Sequence, residues 1–136
     1  MALVIISGEF DLSVGSVMAL AGVFAALAMK EVGHSWMIGG MVALATGAFV
    51  GMINGVITVK LAMPSFLITL GTLSIARGIA LLVTGTRPVN ILSDDYIMIF
   101  GEGYVVGIPV PIVWTVVVAI GGVLLLHFTT FGRKVY

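Results

Sequence analysis

Uncharged, apolar runs alternate with short charged breaks along the whole chain. No charged residue stands between positions 12 and 29. Lys30 and Glu31 follow, and a second uncharged run extends over 32–59 before Lys60. A third apolar stretch, 66–84, holds a single charge, Arg77. Residues 85–111 are polar by comparison and contain Arg87, Asp94, Asp95 and Glu102. The last uncharged run, 103–130, is densest over 112–128, with Arg133 and Lys134 beyond it. Crossing the hydrocarbon core of a bilayer takes about 20 mostly apolar residues at 1.5 Å rise each. The pattern therefore predicts four spanning helices, roughly 13–29, 36–59, 66–84 and 112–128, with an external loop over 85–111. The first and last are short at about 17 residues and need tilt or local thinning of the bilayer. Residues 1–6 read as the end of an earlier, incomplete span, without the basic flank of a cleavable leader.

Breakers stand where spans should end. Pro64 drives Met63 out of the helical region, Arg87-Pro88 follows the third span, and Pro109 and Pro111 precede the fourth, where a proline near a helix start is tolerated. In the second span small residues recur at every fourth position: Gly39, Ala43, Gly47, Gly51 and Gly55. Residues four apart share a helical face, so this ridge should let a neighbouring helix approach closely along most of the span. The third span has a shorter version in Thr72, Ala76 and Ala80, with Gly71 and Gly78 beside it.

Composition sharpens the class. Hydrophobic residues make up 60% of the 136 and charged residues 9%, against about 25% charged in soluble domains. Too little polar surface remains to cover four apolar helices in water, so the fold class is an all-α integral membrane protein. Net charge is zero, which gives no electrostatic footprint for nucleic acid. Cysteine is absent, which excludes disulfides, thiolate metal sites and a cysteine nucleophile. No P-loop, HExxH or GxSxG pattern occurs, so any ATP that drives the protein must be bound by another chain. If successive spans alternate sides, Lys60, Arg133 and Lys134 share one face while Lys30 and Arg87 share the other. The excess of cations places the carboxyl terminus and the Lys60 turn in the cytoplasm.

Polar groups at membrane depth are the candidate chemistry. Glu9 and Asp11 lie between two apolar runs, in either a capping turn at the membrane surface or a helix broken inside the protein near a permeation path. Arg77 stands well inside the third span, where a charge costs about 2.5–3.5 kcal/mol on insertion scales. Snorkelling would relieve that cost. Close-packed neighbours favour a buried ion pair instead, with Asp11 or Glu9 as its partner. Asn54, between Gly51 and Gly55, is placed to bond across to another helix. His34 and His127 lie near span ends without a second ligand at metal spacing, so no metal site is expected.

Four stretches, in order, resemble the permease subunits of bacterial ABC importers for simple sugars. This is the ribose, xylose and autoinducer-2 group, related to branched-chain amino-acid permeases. The stretches are GEFDLSVGS (8–16), GMINGVITVKLAMPSFLITLGTLSIARGIALLVTGTRPV (51–89), GIPVP (107–111) and TTFGRKVY (129–136). The second, with its Asn-Gly, Pro-x-Phe, Thr-Leu-Gly-Thr and Ala-Arg-Gly in series, carries most of the match. Such permeases have more than twice the spans that fit here, so the chain resembles part of a permease bundle, an apparent fragment. Glu9 departs from the pattern, since many relatives carry Gly there.

The resemblance implies a sugar path formed by two permease copies. A periplasmic or lipoprotein sugar-binding protein delivers the sugar, and two ATPase subunits bind the ATP, with no cofactor on the permease itself. It implies a multi-pass protein of the bacterial cytoplasmic (inner) membrane with a cytoplasmic carboxyl terminus. Asp11, Ser13 and Ser16 then sit on the broken early helix. Asn54, Pro64, Phe66, Thr69, Thr72 and Arg77 shape the path or its core, and Gly132 and Arg133 lead toward the ATPase. The alternatives are a small stand-alone pore or exporter that oligomerises through the glycine ridge, or an inactive truncated remnant.

Overall fold

The computed structural model describes residues 8–33, 35–91 and 93–128. The described residues are almost wholly helical: α1 (Val14–Glu31), α2 (Trp36–Leu61), α3 (Ser65–Thr84), a short α4 (Asp94–Phe100), a two-stranded ribbon of β1 (Tyr104–Val105) and β2 (Ile108–Pro109), and α5 (Val110–Phe128). Four of the helices, α1, α2, α3 and α5, are long and apolar enough to cross a membrane. The protein is an all-α integral membrane protein. It divides into two compact units, one over Glu9–Ser93 and one that contains Asp94 onward.

In the first unit α1 is the central helix. It runs antiparallel to α2, meeting it through Ser13 and Asn54 at one end and through Met29 and Gly39 at the other. It runs parallel to α3, through Leu12 and Thr69, then Leu20 with Ala76 and Ala80. The core of this unit is small: Leu20, Ala21, Ala25, Ala26 and Met29 of α1, with Ala76 and Ala80 of α3. Alanines at these positions let helix backbones come close, which is how helices associate where lipid removes the hydrophobic drive. The α2–α3 turn is set by sequence. Ala62 takes a left-handed conformation at φ 50°, and Pro64, fixed at φ −55°, opens α3. At the far end of α3, Gly85 (φ 58°) adopts the left-handed cap that glycine tolerates, and the Thr86 N–H donates to Leu81 O at 3.0 Å.

Of the four glycines in the ridge, Gly39 alone is in close contact with a neighbouring helix. A Cβ at Gly39 would meet the Met29 side chain at 2.5 Å, whereas one at Gly47, Gly51 or Gly55 would meet nothing within 4 Å. Ala43 and Gly47 are half-buried and Gly51 and Gly55 are exposed. The reason is helical arithmetic. At 3.6 residues per turn each residue advances about 100°, so a four-residue step gains about 40°. Over four steps the stripe winds about 160° around α2, and its far end looks away from α1. The residues that keep facing α1 include Gly39 and Asn54.

In the second unit the part of the expected loop from 94 to 111 is more ordered than a plain loop. Trp114 of α5 donates Nε1–H to Ile99 O at 2.9 Å and stacks on Phe100 (centroids 5.6 Å apart), which in turn meets Tyr96 at 4.9 Å. Gly103 is required at the base of the ribbon, because a Cβ there would overlap the Met98 carbonyl oxygen. The Val110 N–H closes the ribbon on Gly103 O at 2.8 Å.

Candidate functional site

Residues 9–13 form a non-helical strap that lies along the start of α3 before the chain enters α1. Among the described residues, the Ser13 carbonyl accepts the Val17 N–H of α1 at 2.9 Å, while the Phe10 and Leu12 N–H groups are satisfied by side chains of α3. The Ser65 hydroxyl accepts from the Phe10 N–H at 3.1 Å and reaches the Phe10 carbonyl at 3.1 Å. Thr69 Oγ1 accepts from the Leu12 N–H at 3.1 Å. The Glu9 carboxylate accepts the Ser65 N–H at 3.2 Å, at the start of a helix whose own N-cap residue, Pro64, offers no side-chain cap. A carboxylate there also meets the positive end of the α3 dipole.

Where the strap turns into α1, a buried polar cluster joins all three helices. Asp11 Oδ1 accepts both the Ser13 N–H (2.8 Å) and the Ser13 hydroxyl (2.7 Å), a local turn just ahead of α1, whose N-cap Ser13 makes no side-chain cap bond. Asn54 Nδ2 donates to Ser13 Oγ at 3.3 Å, and Asn54 Oδ1 accepts from Thr72 Oγ1 at 2.5 Å. Ser13 is 1% exposed, Thr69 3% and Asn54 7%. Asn54 and Thr72 each lie about two turns, or about 10 Å, from the α2–α3 turn. The strap thus descends from the level of that turn, where Glu9 meets Ser65, into the helical layer. Non-helical backbone at membrane depth persists only where protein or an aqueous cavity satisfies it, and here hydroxyls and an amide do so.

Two grooves flank the cluster. One, of about 620 Å³, opens between α2 and α3 over α1 and is walled by Leu20, Phe24, Phe49, Ile53, Ile75 and Ile79, with the hydroxyls of Thr46 and Thr72 among them. Its chemistry suits apolar side chains or acyl chains. The other, of about 470 Å³, lies between α1 and a different face of α3 and brings together Gly15, Ser16 and Arg77 with Leu12, Leu73 and Leu81. The Arg77 guanidinium and Ser16 hydroxyl give it hydrogen-bond donors suited to a small polar molecule.

Arg77 is exposed, and among the described residues no carboxylate pairs with it, contrary to the ion pair expected from sequence. Glu9 is anchored at Ser65, about three turns away along α3, and Asp11 is held by Ser13. Arg77 also sits about 100° around the helix from Ala76, which faces α1. Phe66 is exposed and Pro64 shapes the turn, so neither joins the cluster. Gly132, Arg133 and His34 lie outside the described residues. The sequence reading did not single out Ser65, or Glu9 as a cap on α3. The available signal was the hydroxyl stripe Ser65, Thr69 and Thr72 on one face of an otherwise apolar helix.

The family model described as "Branched-chain amino acid transport system / permease component" matches residues 1–136. The chain belongs to this permease family. It is similar to the ribose import permease protein RbsC of Bacillus subtilis, 38% identical over 137 residues covering 100% of this chain and 42% of the relative. It is also similar to the D-allose transport system permease protein AlsC of Escherichia coli, at 37% over 97% of this chain and 40% of the relative. The L-arabinose transport system permease protein AraH of Escherichia coli is 38% identical over 94% of this chain and 38% of its own length. The chain thus spans about two fifths of the length of these curated relatives. No solved structure matches it.

Proposed function

We propose that this permease-family chain forms part of the translocation path of an ATP-driven importer for a pentose or related monosaccharide. The relatives named for ribose, allose and arabinose transport support the substrate class. The observation that carries the reading is the non-helical strap of residues 9–13, held by Thr69 and by the Ser13–Asn54–Thr72 cluster about two turns into α2 and α3. Transporters place non-helical backbone beside their substrate paths, because within a membrane it is tolerated only next to protein or a water-filled cavity.

In this reading Asp11, Ser13, Asn54, Thr69 and Thr72 fix the strap, and Pro64 and Phe66 shape the turn beside it. Ser16 and Arg77 offer donors to sugar hydroxyls. Sugars are neutral polyols, so a lone guanidinium serves as a hydrogen-bond donor without demanding a charged ligand. The partners are an ABC ATPase subunit that binds the ATP, a periplasmic or lipoprotein sugar-binding protein and a second permease copy. Gly132 and Arg133 lie on the ATPase side, and the location is the bacterial cytoplasmic membrane with the carboxyl terminus inside.

The test is uptake of labelled ribose, arabinose and allose into proteoliposomes. These hold the full-length permease with its ATPase, with the binding protein outside. Uptake that needs both ATP and binding protein is expected, and Arg77→Ala should reduce it more than Arg77→Lys. Failure of the full-length permease to move any of these sugars overturns the proposal.

A further inference from the structure

The ribbon between α4 and α5 carries an anomaly. Tyr104 pairs with Pro109 and Val105 with Ile108, leaving Val106 and Gly107 as a two-residue turn. Both turn residues have positive φ, 52° at Val106 and 79° at Gly107, the pattern of a type I′ hairpin turn. That turn favours Asn, Asp or Gly at its first position; a β-branched residue with positive φ is an outlier. Val106 is also 96% exposed, at the tip of a ribbon whose Tyr104, Val105 and Ile108 are exposed as well. In water this position would combine an unfavourable backbone with an unfavourable side chain.

We infer that the Val106 tip is immersed in the headgroup layer of the bilayer, anchoring the start of α5 at the membrane interface. Three observations select lipid as the occupant. First, the ribbon runs without a break into α5, and no charged residue stands between Gly103 and Phe128. The apolar tip is therefore continuous with the apolar surface of a helix long enough to cross a membrane.

Second, the lengths fit. The 19 residues of α5 measure about 28 Å at 1.5 Å each, slightly less than the roughly 30 Å hydrocarbon core. Strands of two residues add about 7 Å, and the headgroup layer extends about 5–8 Å beyond the core on each side. A tip pointing straight outward stays within that layer, and a tilted one lies deeper. Third, Tyr104 on the ribbon and Trp114 in the first turns of α5 are the aromatic types that settle at membrane interfaces.

The chain has no cysteine, so a single Val105→Cys substitution gives one labelling site beside the tip. With an environment-sensitive nitrobenzoxadiazole label, the protein is reconstituted into phosphatidylcholine–phosphatidylglycerol vesicles, with or without headgroup-proximal spin-labelled lipid. The expected result is blue-shifted emission, strong quenching by the spin-labelled lipid and weak quenching by aqueous iodide. Adding Val106→Asp should restore iodide access and abolish the lipid quenching. Circular dichroism then confirms that the helices persist. Val106→Asn, which suits the turn but not the lipid, should weaken lipid quenching without loss of helix. Emission and iodide quenching equal to those of the free cysteine conjugate overturn the inference. Shielding that develops only when a soluble sugar-binding protein is added also overturns it, since the tip would then be a protein-docking surface.

Discussion

Among the described residues Asn54 ties α2 to both the strap and α3, so its removal has a calculable effect. In Asn54→Ala, Ser13 Oγ loses the donor at 3.3 Å and Thr72 Oγ1 loses its acceptor at 2.5 Å. Neither hydroxyl is stranded. Ser13 keeps Asp11 as its acceptor at 2.7 Å, and Thr72 keeps the Ile68 carbonyl at 3.2 Å. The cost is then two interhelical bonds at about 0.6 kcal/mol each, with a ceiling near 1.7, rather than a buried unsatisfied group. A small packing loss around a site 7% exposed brings the total to about 1–2 kcal/mol, a factor of about 5–30 in the folded-to-unfolded ratio. The assay is SDS titration of the protein in mixed micelles, followed by helical circular dichroism. Thr46→Ala is the control, because among the described residues that hydroxyl bonds only to Val42 O of its own helix, and it should change little. Asn54→Asp should cost more than Asn54→Ala, since it buries a carboxylate beside Ser13, which already serves Asp11. If Asn54→Ala matches the parent within about 0.3 kcal/mol, or if Thr46→Ala costs as much, the cluster does not hold the three helices together.

Thr69→Val removes the acceptor of the Leu12 N–H and should speed amide hydrogen exchange at Leu12 by about tenfold, corresponding to about 1–1.5 kcal/mol; an unchanged rate would mean the strap does not depend on that hydroxyl. Glu9→Gln retains an acceptor for the Ser65 N–H but discards the charge at the α3 N-terminus, so the same SDS titration should show a loss of about 0.3–1 kcal/mol that shrinks with added salt. Gly39→Leu should destabilise the α1–α2 contact by about 1–3 kcal/mol because Met29, itself buried, has no space to retreat. Gly51→Leu should leave the same titration unchanged, so any defect it causes in an assembled transporter reports on contacts outside this unit.

The four membrane-crossing helices were legible because length and unbroken apolarity settle that question locally; no tertiary information is needed to see that 110–128 cannot face water. The breaks were legible for the same reason, through Pro64 and Arg87-Pro88, although α3 stops at Thr84, three residues before Arg87. Asn54 was legible as an interhelical bond, since an amide amid glycines on an apolar helix has few other options. What was not legible depended on azimuth. The ridge from Gly39 to Gly55 read as one buried face because four-residue spacing resembles the helical repeat, yet the residual 40° per step (3.6 residues per turn) carries it around α2. Arg77 read as a buried partner for Asp11 or Glu9 because membrane charges need relief, but its place along and around α3 keeps it from both. The strap's attachment to Ser65 and Thr69 joins residues more than fifty positions apart, and no local pattern encodes that.

The winding of the small-residue stripe also dictates direction. Rows of residues four apart are inclined by about 26° to the helix axis. A helix that keeps its backbone against Gly47, Gly51 and Gly55 therefore crosses α2 obliquely, in the right-handed sense, at an angle near 40°. Such a crossing brings two backbones together over a few turns and lets them diverge on either side. A close-packed pivot flanked by widening wedges is a geometry in which small tilts change the size of the openings while the contact at the centre stays intact.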